Sequence, residues 1–306
     1  MSTREAPQGA NTPRPLRIVV AACSDPPTPA ALAEIPSLAH AAVRSGLVLD
    51  LRPLATLLGI PHQQLANAPV TVPAAERYPP QQRADIVNRA IMDPGIAGII
   101  DISGGDLANE VLPYIDFAAA RTHRTLVAGY SDNSCLLGAL PTRSLLWNPR
   151  TGTTRGFDVV RRALSGARIR PHITPWNTAA VVCDSSTITQ APWYGGNLRC
   201  FLKLAGTPWF PDLTHAVLLI EALGTTMNAL AAFLAQHRAL GTFGGGSQYG
   251  ADTGVLGVVV GQLTAIDKAG MRQHALALID EYVGVLPLFE APSIGHSRDS
   301  DAATLG

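Results

Sequence analysis

Leu16-Arg17-Ile18-Val19-Val20-Ala21-Ala22 is a near-continuous apolar run of strand length, and Asp25-Pro26-Pro27-Thr28-Pro29 stops it. A short run with apolar side chains on both alternating faces predicts a strand covered on both sides. Helical spacing follows through His40 to Arg44, and Leu47 to Leu51 repeats the strand pattern. Gln81 to Met92 again has helical spacing, through Ile86, Ala90 and Ile91, and Asp93-Pro94-Gly95 ends it with turn chemistry. Ile96 to Ile102 predicts a third strand, turning at Ser103-Gly104-Gly105-Asp106 into a short helix near Leu107 to Leu112. Thr125 to Gly129 predicts a fourth, followed by a turn at Tyr130 to Asp132 and an apolar helix from Cys135 to Leu140. Strands alternating with helices in this way form βαβ units, so the fold class is α/β with a parallel sheet clothed on both faces.

Beyond Trp147-Asn148-Pro149 the texture changes, and Arg150 to Arg170 is rich in Gly, Thr and Arg. The expected organisation is a disordered lead-in over residues 1–15, an α/β domain over 16–149, a linker over 150–175 and a second domain over 176–306. In that second part Ala179 to Cys183, Ala216 to Ile220, Val255 to Val260 and Val285 to Phe289 read as strands. Helices are expected over Leu198 to Ala205, Thr225 to Leu240 and Met271 to Tyr282, with a glycine-dense loop over Thr242 to Gly250 and a polar tail from Ala291.

With 306 residues, 47% of them hydrophobic and 15% charged, there is ample material for buried cores and none of the signature of a disordered chain. Lys and Arg number 23 against 23 Asp and Glu, with no basic tail, so nucleic-acid or anionic-membrane partners have no electrostatic footprint. No apolar run is long enough to cross a bilayer, and Met1 to Pro15 lacks the apolar core of a secretion signal, so a cytoplasmic protein is expected. Cys23, Cys135, Cys183 and Cys200 lack metal-ligand spacing and read as reduced thiols in apolar surroundings; neither a metal nor a cofactor is expected.

The sharpest chemical feature is Gly129-Tyr130-Ser131-Asp132-Asn133, between an apolar strand and an apolar helix. A serine there sits on a tight turn with its hydroxyl outward and helix N–H groups beside it, and the Asp132 amide is a candidate oxyanion donor. The last position holds Asn133 where the elbow pattern has Gly, a residue that tolerates unusual dihedrals. Ser-Asp-Asn-Ser is equally ordinary helix-capping chemistry, so nucleophile and N-cap both stand as readings. Ser103-Gly104-Gly105-Asp106 follows the neighbouring strand and offers Gly104 or Gly105 as a second donor, or is a plain turn. An activated serine needs a base and an orienting acid. Among eight histidines, His296 lies in an irregular segment after a strand, and Glu221 ends an otherwise apolar strand, as a functional group or as a cap.

These residues carry a resemblance. Ser103-Gly104-Gly105 with Leu112-Pro113-Tyr114-Ile115-Asp116-Phe117, then Gly129-Tyr130-Ser131-Asp132, resemble the N-terminal half of the LD-carboxypeptidase family of serine peptidases. Gly195-Gly196-Asn197-Leu198, Gly206-Thr207-Pro208, Leu219-Ile220-Glu221 and Gly295-His296 resemble its C-terminal half, in the correct order. The resemblance implies a Rossmann-like N-terminal domain, a smaller β-rich, barrel-like C-terminal domain, a site at their junction and a homodimer. It implies Ser131 as nucleophile, His296 as base, Glu221 as its orienting acid, and Gly104, Gly105 and Asp132 as oxyanion donors. Ser103, Asp106, Asn197, Trp176 and Trp193 are its candidate substrate contacts, the two tryptophans as stacking platforms.

Murein-type members carry Arg-Gly-Gly-Tyr-Gly where this chain has Ser103-Gly104-Gly105-Asp106-Leu107, whereas Asn109 to Asp116 is closer to the microcin-immunity branch. The implied activity is hydrolysis of an amide bond near a carboxyl terminus, on a small specialised peptide or peptide–nucleotide conjugate. The alternatives are a murein tetrapeptide carboxypeptidase, an acyl-transferring relative, or a binding domain without activity. The chain ends soon after His296, and no final strand is expected there.

Overall fold

The computed structural model describes residues 15–67, 77–244 and 254–306. All of the expected lead-in except Pro15, and residues 245–250 of the glycine-dense loop, lie outside them.

Five parallel strands build the first sheet: β1 (Leu16–Ala21), β2 (Leu47–Asp50), β3 (Ile96–Asp101), β4 (Leu126–Gly129) and β5 (Ser144–Leu146). The opening run explains the two layers around it. Ile18 and Val20 face one core, with Leu38, Ala41 and Ala42 of helix Ile35–Arg44 and Leu54 of helix Arg52–Leu58. Val19 and Ala21 face the other, with Val87 and Ala90 of helix Pro80–Met92 and Leu136 of helix Ser134–Ala139. Each large apolar side chain taken fully out of water contributes roughly 1.5–3 kcal/mol, so both faces stabilise the sheet.

The second sheet comprises β6 (Thr174–Pro175), β7 (Trp193–Asn197), β8 (Val217–Ala222), β9 (Gly257–Leu263) and β10 (Leu288–Glu290), in the order β6-β10-β9-β8-β7. The β-rich expectation thus takes the form of an open sheet with four parallel strands and antiparallel β6 at one edge. Its apolar face is continuous with the Val19 side of the first sheet: Phe201, Leu204, Leu219 and Val260 share one core with Cys135, Leu136 and Val127. The C-terminal ends of β3 and β4 therefore lie close to those of β7 and β8, where a parallel α/β sheet collects its ligand-facing loops.

Besides the unannounced strands β5, β6 and β7, three elements differ from expectation. Ala179 to Cys183 is not a strand: Thr178–Val182 is a helix, capped by the Asn177 side chain on the Ala180 amide, with Val181 and Val182 exposed. The Gly/Thr/Arg-rich stretch after Pro149 holds two helices, Thr151–Arg155 and Asp158–Leu164, and buries Phe157, Val160 and Ala163 in the first sheet's core. The tail also forms a final strand, β11 (Ala303–Leu305), which returns to the first sheet and pairs antiparallel with β5. Its order is thus β11-β5-β4-β3-β1-β2. Three residues at the end of a largely polar tail carry too little periodicity to announce a strand.

Candidate active site

Ser131 follows β4 directly. Tyr130 is extended, and Ser131 turns the chain with φ +56°, a left-handed conformation that costs a non-glycine residue roughly 1–3 kcal/mol. No side chain in Ser131 to Asn133 caps the following helix, so the N-cap reading does not describe the turn. The polar groups serve elsewhere. Asp132, fully buried, accepts hydrogen bonds from Ser24 Oγ at 2.6 Å and the Ala108 amide at 2.7 Å, and Lys203 Nζ pairs with its second oxygen. Asn133 is ordinary right-handed helix and needs no dihedral tolerance. Its amide instead donates to Asp101 at 3.0 Å and to the Ser103 carbonyl at 2.8 Å, bracing the Ser131 turn against the Ser103 turn. A Cβ at Gly129 would stand 3.1 Å from that of Asn133, which explains glycine at the start of the motif.

The neighbouring glycines have specific reasons too. Gly105 has φ +130°, and a Cβ there would come within 2.2 Å of the Asp25 carboxylate. Gly104 lies against the nucleophile candidate, its Cβ position 3.5 Å from Ser131 Oγ. Ser103 itself is buried: its hydroxyl donates to Asp101 at 2.6 Å and accepts from the Ser24 amide at 2.8 Å.

Across the cleft, His296 Nδ1 lies 2.7 Å from Glu221 Oε2, with both side chains almost wholly buried. Glu221 sits near the end of β8 beside Asn197 of β7. Its approach needs Gly261 on β9, where a Cβ would stand 3.2 Å from the Glu221 Cβ. Two side-chain amides, beside main-chain bonds such as that of Gln262 N–H to the Ile294 carbonyl at 2.7 Å, hold the His296 segment. Gln262 donates to Ser297 Oγ at 2.9 Å and to the Pro292 carbonyl at 3.1 Å, and Asn148 donates to the His296 carbonyl at 3.4 Å. Glu221 Oε1 and His296 Nε2 are buried without a hydrogen-bond partner among the described residues. A buried polar atom left unsatisfied is costly, so these two mark where a ligand or a reacting hydroxyl would gain most.

Ser131, Glu221 and His296 line one pocket with Tyr130, Trp147 and Asn148. Two clefts open from it. One, of about 270 Å³, is lined by Pro26, Thr28, Gly104, Gly105, Ser131, Arg150, Leu223 and His296. The other, of about 370 Å³, is lined by Asp106, Ser131, Asn197, Arg199, Thr225 and Phe233. A larger cleft of about 570 Å³ between Arg17, Arg52 and Arg89 contains none of the three residues. Among the described residues no group of three His, Cys, Asp or Glu side chains is placed to hold a metal ion, and no helix is long and apolar enough to cross a membrane.

The candidate substrate contacts divide. Asp106 and Asn197 reach the second cleft. Asp106 pairs with Arg199, whose hydrogen bond holds the carboxyl below its usual range, while Asn197 caps the Cys200 amide. Trp193 is a correction: it is fully buried, its indole N–H donates to the Ile188 carbonyl at 2.8 Å and Arg170 covers its face, so no surface is left for a ligand. Trp176 packs at the β6 edge, hydrogen-bonded to Leu288. Through Val258 that level of the sheet corresponds to Leu218, three residues short of Glu221, so the ring stands away from the cleft.

Supporting residues absent from the sequence reading are Lys203, Gln262, Asn148 and Arg83. Arg83 is wholly buried and donates to the carbonyls of Cys23 and Leu107, at 2.6 and 3.0 Å, pinning both loops that flank Gly104. An arginine among Ala84, Ile86 and Val87 was the available signal, since arginine is rarely buried unless paired.

Residues 18–146 match the LD-carboxypeptidase N-terminal domain, and residues 190–306 match the LD-carboxypeptidase C-terminal domain. The chain belongs to the LD-carboxypeptidase family. Within it, the microcin C7 self-immunity protein MccF of Escherichia coli is 33% identical over 176 residues, 46% of this chain and 51% of the relative. A Bacillus subtilis protein named as a carboxypeptidase, YocD, is 26% identical over 170 residues, 46% of this chain and 52% of the relative. The chain thus spans about half the length of these curated relatives. The fold is shared more widely. A structure of MccF in complex with aspartyl sulfamoyl adenosine superposes with a TM-score of 0.69 at 17% identity, covering 95% of this chain and 91% of that one. A muramoyltetrapeptide carboxypeptidase from Oxalobacter formigenes superposes with a TM-score of 0.67 at 16% identity, covering 95% and 92%.

Proposed function

We propose that this family member is a serine carboxypeptidase or amidase that works through Ser131, His296 and Glu221. The observation that carries the reading is the buried 2.7 Å pair of His296 Nδ1 and Glu221, sharing a pocket with a serine held at φ +56°. In this mechanism Glu221 accepts the Nδ1–H bond, which leaves Nε2 as the basic nitrogen, the one that has no other partner among the described residues. Ser131 Oγ attacks the carbonyl while Nε2 takes its proton. The oxyanion is met by main-chain N–H groups of Gly104 or Gly105 and of Asp132, each worth roughly 3–4 kcal/mol in comparable sites. Nε2 then returns the proton to the departing amine, the C–N bond breaks, and water releases the acyl group by the same steps in reverse. A second acceptor in place of water would give acyl transfer.

The substrate class we infer is a small specialised peptide or peptide–nucleotide conjugate, with a murein tetrapeptide as second reading. The likeness to MccF favours the first, and Asp106 standing where murein-type members have tyrosine agrees with it. A cytoplasmic homodimer, and a division into domains over 16–149 and 176–306, complete the proposal; light scattering tests the dimer.

The deciding experiment is labelling with a fluorophosphonate. Wild type is expected to label and Ser131→Ala not to; equal labelling of the two overturns the assignment of the nucleophile. Incubation with an aspartyl sulfamoyl adenosine and with a murein tetrapeptide then separates the two substrate readings.

A further inference from the structure

The two clefts that meet at Ser131 differ in charge. In the 370 Å³ cleft the guanidinium of Arg199 is matched by Asp106. The 270 Å³ cleft has no carboxylate in its lining, and its one arginine, Arg150, makes no side-chain hydrogen bond or ion pair among the described residues. Arg150 follows Asn148, which holds the His296 segment, and its own amide bonds the Asn148 side chain at 3.1 Å. It lies between the two stretches that match the family.

The chemistry assigns a side to each cleft. The group that takes the proton of Ser131 must hand it to the departing amine, so the leaving group lies on the imidazole's side of the scissile bond. His296 lines the cleft of Arg150 and not that of Arg199. An unpaired guanidinium beside Pro26, Pro27, Ala31 and Leu223 is a fork of donors in partly apolar surroundings, which suits a carboxylate.

We infer that Arg150 is a specificity-determining residue that receives the free carboxylate of the departing amino acid. The inference rests on the proposed serine mechanism and, between its substrate readings, selects a peptide with a free C-terminus over a nucleotide conjugate: the bond cut is the last amide, and the acyl portion occupies the Asp106–Arg199 cleft. When the C–N bond breaks and His296 protonates the amine, the product is a free amino acid still held through its carboxylate.

The test compares a murein tetrapeptide with the same peptide as its C-terminal amide, on wild type, Arg150→Met and Arg150→Lys. Wild type is expected to prefer the acid by about 10- to 100-fold in kcat/KM, through KM above all; Arg150→Met collapses the preference and Arg150→Lys restores part of it. An acid-to-amide ratio that Arg150→Met leaves unchanged overturns the inference. Should neither peptide be cut, the same ratio is read from how well each slows fluorophosphonate capture of Ser131. Failure of wild type to label at all instead refutes the serine mechanism, which keeps the two failures apart.

Discussion

The turn that carries Ser131 and the arm that carries His296 face each other but are built on opposite terms. Around Ser131, the carboxylates of Asp101 and Asp132 are buried and each accepts at least three hydrogen bonds, from groups brought in by four separate stretches of chain. That network holds a strained φ of +56°. The arm from Ala291 to Ser300 is tied down along its backbone and at its surface, through Gln262, Asn148, Arg155 and the Arg298–Glu34 pair, but its imidazole has one hydrogen bond, to Glu221, and among the described residues Nε2 and Glu221 Oε1 are left unsatisfied. The difference teaches where each kind of precision is needed. In the proposed mechanism the attacking oxygen and the oxyanion donors must be in place beforehand, because reorganising them during reaction would raise the barrier. In the same mechanism the imidazole exchanges a proton with two partners in turn, so its outer nitrogen has to stay open.

Three substitutions sharpen the contrast, taken from the largest effect down. Glu221→Gln keeps the volume but offers an N–H to Nδ1, favouring the tautomer with its proton on Nε2; we expect kcat to fall by about 10³- to 10⁴-fold with little change in urea midpoint. A parallel loss of stability and activity would instead make Glu221 a structural acid. Lys203→Met acts on the other region. It strips the partner from a fully buried Asp132 and is expected to cost about 3–5 kcal/mol in urea unfolding, most of which Lys203→Met with Asp132→Asn recovers. No recovery in the double variant would mean that the lysine contributes through packing. Ser131→Gly relieves the left-handed strain and should abolish turnover while raising stability by about 0.5–1 kcal/mol. A stability loss there would show that the hydroxyl, not the backbone, is what the turn is built around.

Much of this was legible beforehand. Strands β1 to β4, β8 and β9 announce themselves as apolar runs, because a strand buried on both faces needs no partner to reveal it. Ser131, Glu221 and His296 stand out for a similar reason: each is a reactive group where an apolar element gives way to a turn. Trp193 misled because an aromatic residue beside glycine and proline looks the same whether it faces a ligand or, as here, a carbonyl of its own core. In sequence Asn133 stands out only for backbone tolerance, whereas in the fold its side chain does the bracing. Lys203 and Asp132, 71 residues apart, and β11 pairing with β5 across even more of the chain leave no local trace.

What the chain alone determined is therefore its local grammar: which runs are buried, where glycine must stand, and which side chains have chemistry to offer. Hydrophobic burial and backbone sterics act over a few residues, so they are written in order along the sequence. Only the tertiary structure decided that one core joins the two sheets, that Glu221 meets His296 at 2.7 Å, and that one cleft beside Ser131 has a paired arginine and the other a free one among the described residues. Hydrogen bonds and ion pairs are short-ranged in space but indifferent to sequence separation, so they exist only once the chain has closed its loops.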